Sequence, residues 1–147
     1  MSDQLAAKLV GSWELLSRID RNQAGEQREE PTLGSDPVAF LVFDKARFAA
    51  QFMKRARTGT EELPSGTSVG NNSRARGGYD AYFGTWSVLA DGRTVRTRLV
   101  GALSLENVGA VFDRRMTVDG DTLVIELDTN TPRGEPVTRK LTWRRVG

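Results

Sequence analysis

With 147 residues, 38% of them hydrophobic and 27% charged, and a formal net charge of +2, the chain fits a single globular domain of ordinary soluble composition, 1–147. It contains no cysteine and no histidine. That excludes disulfides, thiolate nucleophiles and the usual transition-metal ligands, together with the common general base near neutral pH. Any catalysis would rest on Asp, Glu, Tyr, Lys, Arg or hydroxyl groups, and neither a metal nor a cofactor is expected.

The basic residues are 17 Arg and 4 Lys, set in short clusters such as Arg114-Arg115 and Arg144-Arg145 and interleaved with 19 acids. Nucleic-acid binding needs basic residues gathered on one face, so no nucleic-acid partner is expected and these clusters read as solvated strand edges. No apolar run approaches the roughly 18 residues needed to span a bilayer. The opening MSDQLAAKLVGSW has no basic stretch followed by an apolar one. The expectation is a cytoplasmic protein, monomer or homodimer, with no membrane partner.

Taken in order, Ser2 is placed to cap a short helical turn with Leu5 and Leu9 on one side. Val10 to Asp20 reads as a strand whose Trp13, Leu15, Ser17 and Ile19 share a face. Arg21 to Asp36 is polar, carries Gly25, Pro31 and Gly34, and reads as a long loop. The apolar runs Val38 to Phe43 and Phe48 to Met53 form a hairpin. Residues 55–78 are almost free of large apolar side chains and form a second long loop, either a connector or a lid. A helical turn near Glu61-Glu62-Leu63 would end at Pro64.

The clearest pattern runs from Tyr79 to Leu103. Asp91-Gly92 supplies a tight turn between two alternating arms. Tyr82, Gly84, Trp86 and Val88 share one face, and on the second arm Val95, Thr97 and Leu99 oppose Arg96 and Arg98. Val108 to Val118, a turn at Asp119-Gly120, Thr122 to Asp128, a turn at Arg133-Gly134 and Val137 to Val146 complete the chain. Eight to ten short strands with almost no helix predict an all-β fold, a sandwich or an up-and-down antiparallel barrel.

Gly11-Ser12-Trp13 on the first strand and Trp143-Arg144-Arg145 on the last resemble the calycin signature, in which an arginine of the last strand covers the tryptophan. The segments GSWELLSRI, FLVFDKARFAAQFMKR, YDAYFGTWSVLADGRTVRTRLVGAL, DRRMTVDGDTLVIEL and LTWRRV together resemble the lipocalin-like domain family of small microbial proteins. The resemblance implies a lipocalin-like barrel with a pocket for a small, largely apolar molecule. Related barrels include cofactor-free cyclases and isomerases. Members often carry two histidines on the strand after the hairpin turn, where this chain has Thr97 and Arg98. The usual aromatic and proline are replaced within Ser104-Leu105-Glu106-Asn107, so histidine chemistry does not carry over.

Strand parity sorts the candidate site residues. Phe112, Arg114, Met116 and Val118 share the more apolar face, which points Arg114 inward, as either half of an internal ion pair or an anchor for an anionic ligand group. Tyr82 and Trp86 are placed to stack on a ring or to fill the core. Thr97 and Met116 join them as lining residues, and Phe40 is a further candidate. Tyr79 sits at the junction with the long loop. Gln51 is a polar candidate on the face of Ala49 and Met53, although Phe48, Ala50 and Phe52 have an equal claim to the interior. Arg96, Arg98 and Glu126 are expected outside.

Three functions follow. The first is binding of a small hydrophobic molecule in the barrel, through Tyr79, Tyr82, Trp86, Thr97, Arg114, Met116, Gln51 and Phe40. The second is a cofactor-free cyclase or isomerase acting on a small apolar or polyketide-like substrate, with Arg114 and Tyr82 polarising a carbonyl. The third is an interaction module with a filled barrel.

Overall fold

Period-two alternation becomes nine antiparallel strands: β1 (Gly11–Asn22), β2 (Gln27–Arg28), β3 (Val38–Phe43), β4 (Arg47–Met53), β5 (Tyr79–Val88), β6 (Thr94–Ala102), β7 (Val111–Asp119), β8 (Thr122–Asn130) and β9 (Pro136–Arg145). Helix α1 (Ser2–Leu9) precedes them. The computed structural model describes residues 2–59 and 74–147, so the turn expected at Glu61–Leu63 and most of the 55–78 loop lie outside the described residues. From β3 to β9 each strand pairs with the next, β1 pairs with β3, and β1 also pairs with β9. This last pairing closes an eight-stranded up-and-down barrel, and β2 adds a short extra strand beside Asp20 and Arg21. No described helix is long and apolar enough to cross a membrane.

One end of the barrel is plugged. Leu5 and Leu9, one helical turn apart on α1, are buried against the core, as their spacing predicts. The indole Nε1–H of Trp13 donates to the Leu9 carbonyl at 3.0 Å. The Arg145 guanidinium lies over the Trp13 ring, 4.2 Å from its centroid, and donates to the carbonyls of Val10 and Lys8. Tryptophan and arginine thereby satisfy carbonyls that the helix end leaves unbonded, and the cation suits the negative end of the helix dipole. Gly11 makes this packing possible. Its φ is +138°, and a Cβ there would sit 2.6 Å from both Arg145 Nη1 and the Gly147 carbonyl oxygen.

The β5–β6 connection is longer than the tight turn expected. It spans residues 89–93, with the Leu89 amide donating to Thr94 O at 2.8 Å. The Asp91 carboxylate accepts from the Thr94 hydroxyl and from the amides of Arg93 and Thr94. These bonds, the hydroxyl foremost, hold its carboxyl down at about 2.

The largest departure from simple alternation is in β1. Leu15 pairs with Trp143 but Ser17 pairs with Thr142, so Leu16 is an extra residue at a bulge. Beyond it the faces exchange. Ser17 and Ile19, expected on the same face as Trp13, lie on the outer face, and Arg18 and Asp20 are buried inside.

Candidate ligand-binding cavity

Among the described residues the barrel holds a cavity of about 390 Å3, where the filled-barrel alternative expected side chains. The inner half is apolar, walled by Phe43, Phe48, Phe52, Met116, Ile125, Leu141 and Trp143. Tyr82 stacks on Phe52 with centroids 6.2 Å apart and lies 6.0 Å from Phe48, while Phe52 meets Trp143 edge-on at 5.8 Å. These offset and edge contacts lock the rings into a preformed aromatic wall.

The opposite end is polar. Arg139 on β9 grips Asp20 on β1 in a two-pronged pair, Nε to Oδ1 at 2.7 Å and Nη2 to Oδ2 at 3.0 Å, with both side chains almost fully buried. Beside them Arg18 donates to Glu30 at 2.8 Å and to the Gly34 carbonyl at 3.2 Å. Glu30 belongs to the loop between β2 and β3, which the Arg18 amide also holds through Ser35 O at 3.1 Å. Leu33 of that loop is buried against the cavity. Burial pushes the Glu30 carboxyl up. Arg18, the Thr32 hydroxyl at 2.7 Å, Arg139 and the Thr32 amide outweigh it and bring the group down to about 2. Burial also lowers Arg18, further lowered by Arg139 and opposed by Glu30 and Asp20.

Arg114 projects from β7 into the cavity, 8% exposed, with its guanidinium 4.8 Å from the Phe112 ring centroid. Burial holds it below its ordinary range. Tyr82 opposes that shift, Arg139 adds to it and Asp80 opposes it, which places these four groups in one electrostatic neighbourhood. An arginine so placed keeps its charge.

The three indoles differ. Trp13 Nε1 donates to Leu9 O, and Trp86 Nε1 donates to Asp44 O at 2.9 Å. Trp143, whose ring forms part of the cavity wall, has a buried Nε1–H with no hydrogen bond among the described residues, and the buried Thr129 hydroxyl in the same lining also lacks one. Buried donors are bonded as a rule, so these two mark places where a ligand acceptor is favoured.

Of the residues picked from the sequence, Tyr82, Thr97, Arg114 and Met116 are brought together around the cavity. The others are not. Trp86 faces inward but packs edge-on against Phe43 at 5.1 Å, outside the lining. Phe40, 44% exposed, and its partner Gln51 lie on the outer face, because Ala39, Leu41, Phe48, Ala50 and Phe52 take the inner one. Tyr79 has the opposite parity to Asp80 and Tyr82 and lies under Arg57, 5.4 Å from its ring centroid. Arg96 and Arg98 point outward as expected, Arg96 in a two-pronged pair with Asp113. Glu126 is on the outer side of β8.

Six charged lining residues escaped the sequence reading, Arg74 among them. Asp80 and Arg139 share parity with Tyr82 and with Trp143, the signal that found Arg114, so both were available from alternation alone. Arg18 and Asp20 were hidden by the bulge, and Glu30 by its place in a loop. Residues 74–76, where the second long loop returns, are fixed by Ser104, whose hydroxyl donates to Arg74 O at 2.7 Å, and by Glu106, which binds Arg74 and Arg76. Among the described residues no group of three Asp or Glu side chains is placed to hold a metal ion.

A closed eight-stranded barrel, plugged at one end by a tryptophan under an arginine and with a cavity among its described residues, defines a lipocalin-like scaffold. The chain belongs to the lipocalin-like domain family, whose family model matches residues 10–146. Comparison with curated proteins gives no match.

Proposed function

We propose that the chain binds a small, largely apolar, ring-bearing molecule inside the barrel. The observation that carries this reading is the cavity of about 390 Å3 with its preformed aromatic wall. Its size falls within the roughly 300–1,000 Å3 of small-molecule sites, which are mostly apolar with a few placed polar groups. The test is native mass spectrometry of the protein after exposure to a small-molecule extract of its host. Ala50→Trp, which fills the cavity from β4, serves as the control once a thermal melt shows that it folds. A bound species lost in Ala50→Trp is expected. No bound species, or one retained equally by the filled variant, overturns the reading.

A cofactor-free isomerase or cyclase is the second reading, favoured by the grouping of Arg114, Tyr82 and Asp80 on one cavity. A carbonyl seated there would meet a buried cation and a phenol, which stabilise an enolate by fixed electrostatics. In the same experiment its mark is a bound molecule recovered at unchanged mass but altered retention.

A further inference from the structure

The two long walls of the cavity differ, and given the binding reading above they bear on the shape and unsaturation of the ligand. Five rings follow one another around the lining. Phe43 lies 6.3 Å from Phe48 between centroids, Phe48 lies 6.0 Å from Tyr82, Tyr82 lies 6.2 Å from Phe52, and Phe52 lies 5.8 Å from Trp143. Every spacing is that of an aromatic pair, so each ring is held by its neighbours and has little freedom left to lose on binding. In the closed order of the barrel strands β4 stands opposite β8. The rings of β4 and β5 are therefore faced by Met116 of β7 and by Ile125 and Leu127 of β8. Met116 and Ile125 are register partners, and Ile125 pairs in turn with Leu141 of β9. Among the described residues that β7 and β8 bring to the lining there is no ring. One wall is thus fixed and aromatic, and the other is aliphatic, with a methionine that fits itself to whatever lies against it.

A flat aromatic molecule meets such a wall with its edge or its offset face, the two arrangements that ring quadrupoles favour. A saturated ring of equal carbon number is puckered, carries hydrogens on both faces and has no quadrupole to match. An open chain must in addition freeze its rotors. We propose that the cavity selects planar, fused aromatic molecules, seated between the Phe48, Tyr82 and Phe52 rings and Met116, over alicyclic and straight-chain molecules of equal carbon number.

The test uses three alcohols of equal carbon number, naphthol, decahydronaphthol and decanol, all uncharged at pH 7. Titration calorimetry gives their affinities for the full chain. Burial of apolar area alone ranks decanol first. The expected order has naphthol first, about ten-fold tighter than decahydronaphthol. Equal or tighter binding of either saturated alcohol overturns the inference while leaving the binding reading intact. Failure of all three to bind counts against the binding reading itself and takes this inference with it. Phe52→Leu removes the ring that joins Tyr82 to Trp143, and should bring naphthol and decahydronaphthol to within about three-fold of each other. A folded Phe52→Leu protein that keeps the full preference also overturns the inference. Should that variant not fold, the wild-type ranking decides.

The seat is read separately from methionine methyl resonances in a carbon–proton correlation spectrum, with Met116 assigned through Met116→Leu. The ring current of bound naphthol should move the Met116 methyl and leave that of Met53, which shares the outer parity of Gln51 on β4, in place. Decahydronaphthol should cause the smaller Met116 shift. An unmoved Met116 methyl with bound naphthol overturns the proposed seat.

Discussion

Replacing Asp20 with alanine tests the reading of the polar end most directly. Asp20 and Arg139 are 2% and 5% exposed at their side chains and joined by two hydrogen bonds of 2.7 and 3.0 Å. Asp20→Ala removes that acid and leaves Arg139 buried beside Arg18, whose charge already opposes it. Breaking a buried pair from one side costs about 3–5 kcal/mol. In a domain near 150 residues, where 1 kcal/mol moves Tm by about 2–4 °C, the melting point should fall by about 10 °C. Removing both charges, as Asp20→Leu with Arg139→Met, should recover stability to within about 1 kcal/mol of wild type, since a packed apolar pair replaces two desolvated ions. Urea unfolding followed by tryptophan fluorescence at pH 7, across wild type, Asp20→Leu, Arg139→Met and the double variant, gives the coupling, with Asp20→Ala measured beside them. An interaction of about 3 kcal/mol or more is expected. The reasoning fails if Asp20→Ala alone costs less than about 1 kcal/mol, or if the double variant is no more stable than the single.

The depressed Glu30 carboxyl sets an acid limit on stability. Its value is about 2 when folded against 4.5 unperturbed, so its contribution is complete above pH 4.5 and disappears as pH falls towards 2. The contribution is up to roughly 3 kcal/mol, and Glu30→Gln should flatten the loss of urea midpoint across that window; an unchanged slope would mean that other carboxylates govern it. At the plugged end, Gly11→Ala forces a Cβ to within 2.6 Å of Arg145 Nη1 and the Gly147 carbonyl oxygen. It should destabilise by about 2–3 kcal/mol in denaturant melts, and wild-type stability would show that the Arg145 packing gives way freely.

Alternation made most of the barrel legible. Val95, Thr97 and Leu99 opposed to Arg96 and Arg98 placed β6 correctly, and the face of Phe112, Arg114 and Met116 carried a cation inward because its neighbours were apolar. The same logic extended two residues back from Tyr82 would have reached Asp80, and along Val137, Leu141 and Trp143 would have reached Arg139. In β1 it failed for a physical reason. A bulge adds one residue to one strand, and nothing in the run Leu15-Leu16-Ser17 announces which side will absorb it. For Phe40 and Gln51 the strands are apolar on both faces, so pattern alone could not choose between Phe48, Ala50, Phe52 and the opposite set. Glu30 and Leu33 reach the cavity through tertiary contacts of a loop, which no period describes.

The seam that closes the barrel joins residues 13–22 of β1 to residues 137–145 of β9, partners separated by more than a hundred positions in the chain. On a ribosome, β1 is made early and its partner late, so for most of synthesis one edge of β1 has no strand to pair with. Contacts of such long range are slow to form because a large loop must be closed before they return any energy. Hairpins from β3 to β8 need only their neighbours. The expected order is therefore a curled, open sheet first and a sealed barrel last, with the hollow interior, its two-pronged Asp20–Arg139 pair included, coming into being only at that final step.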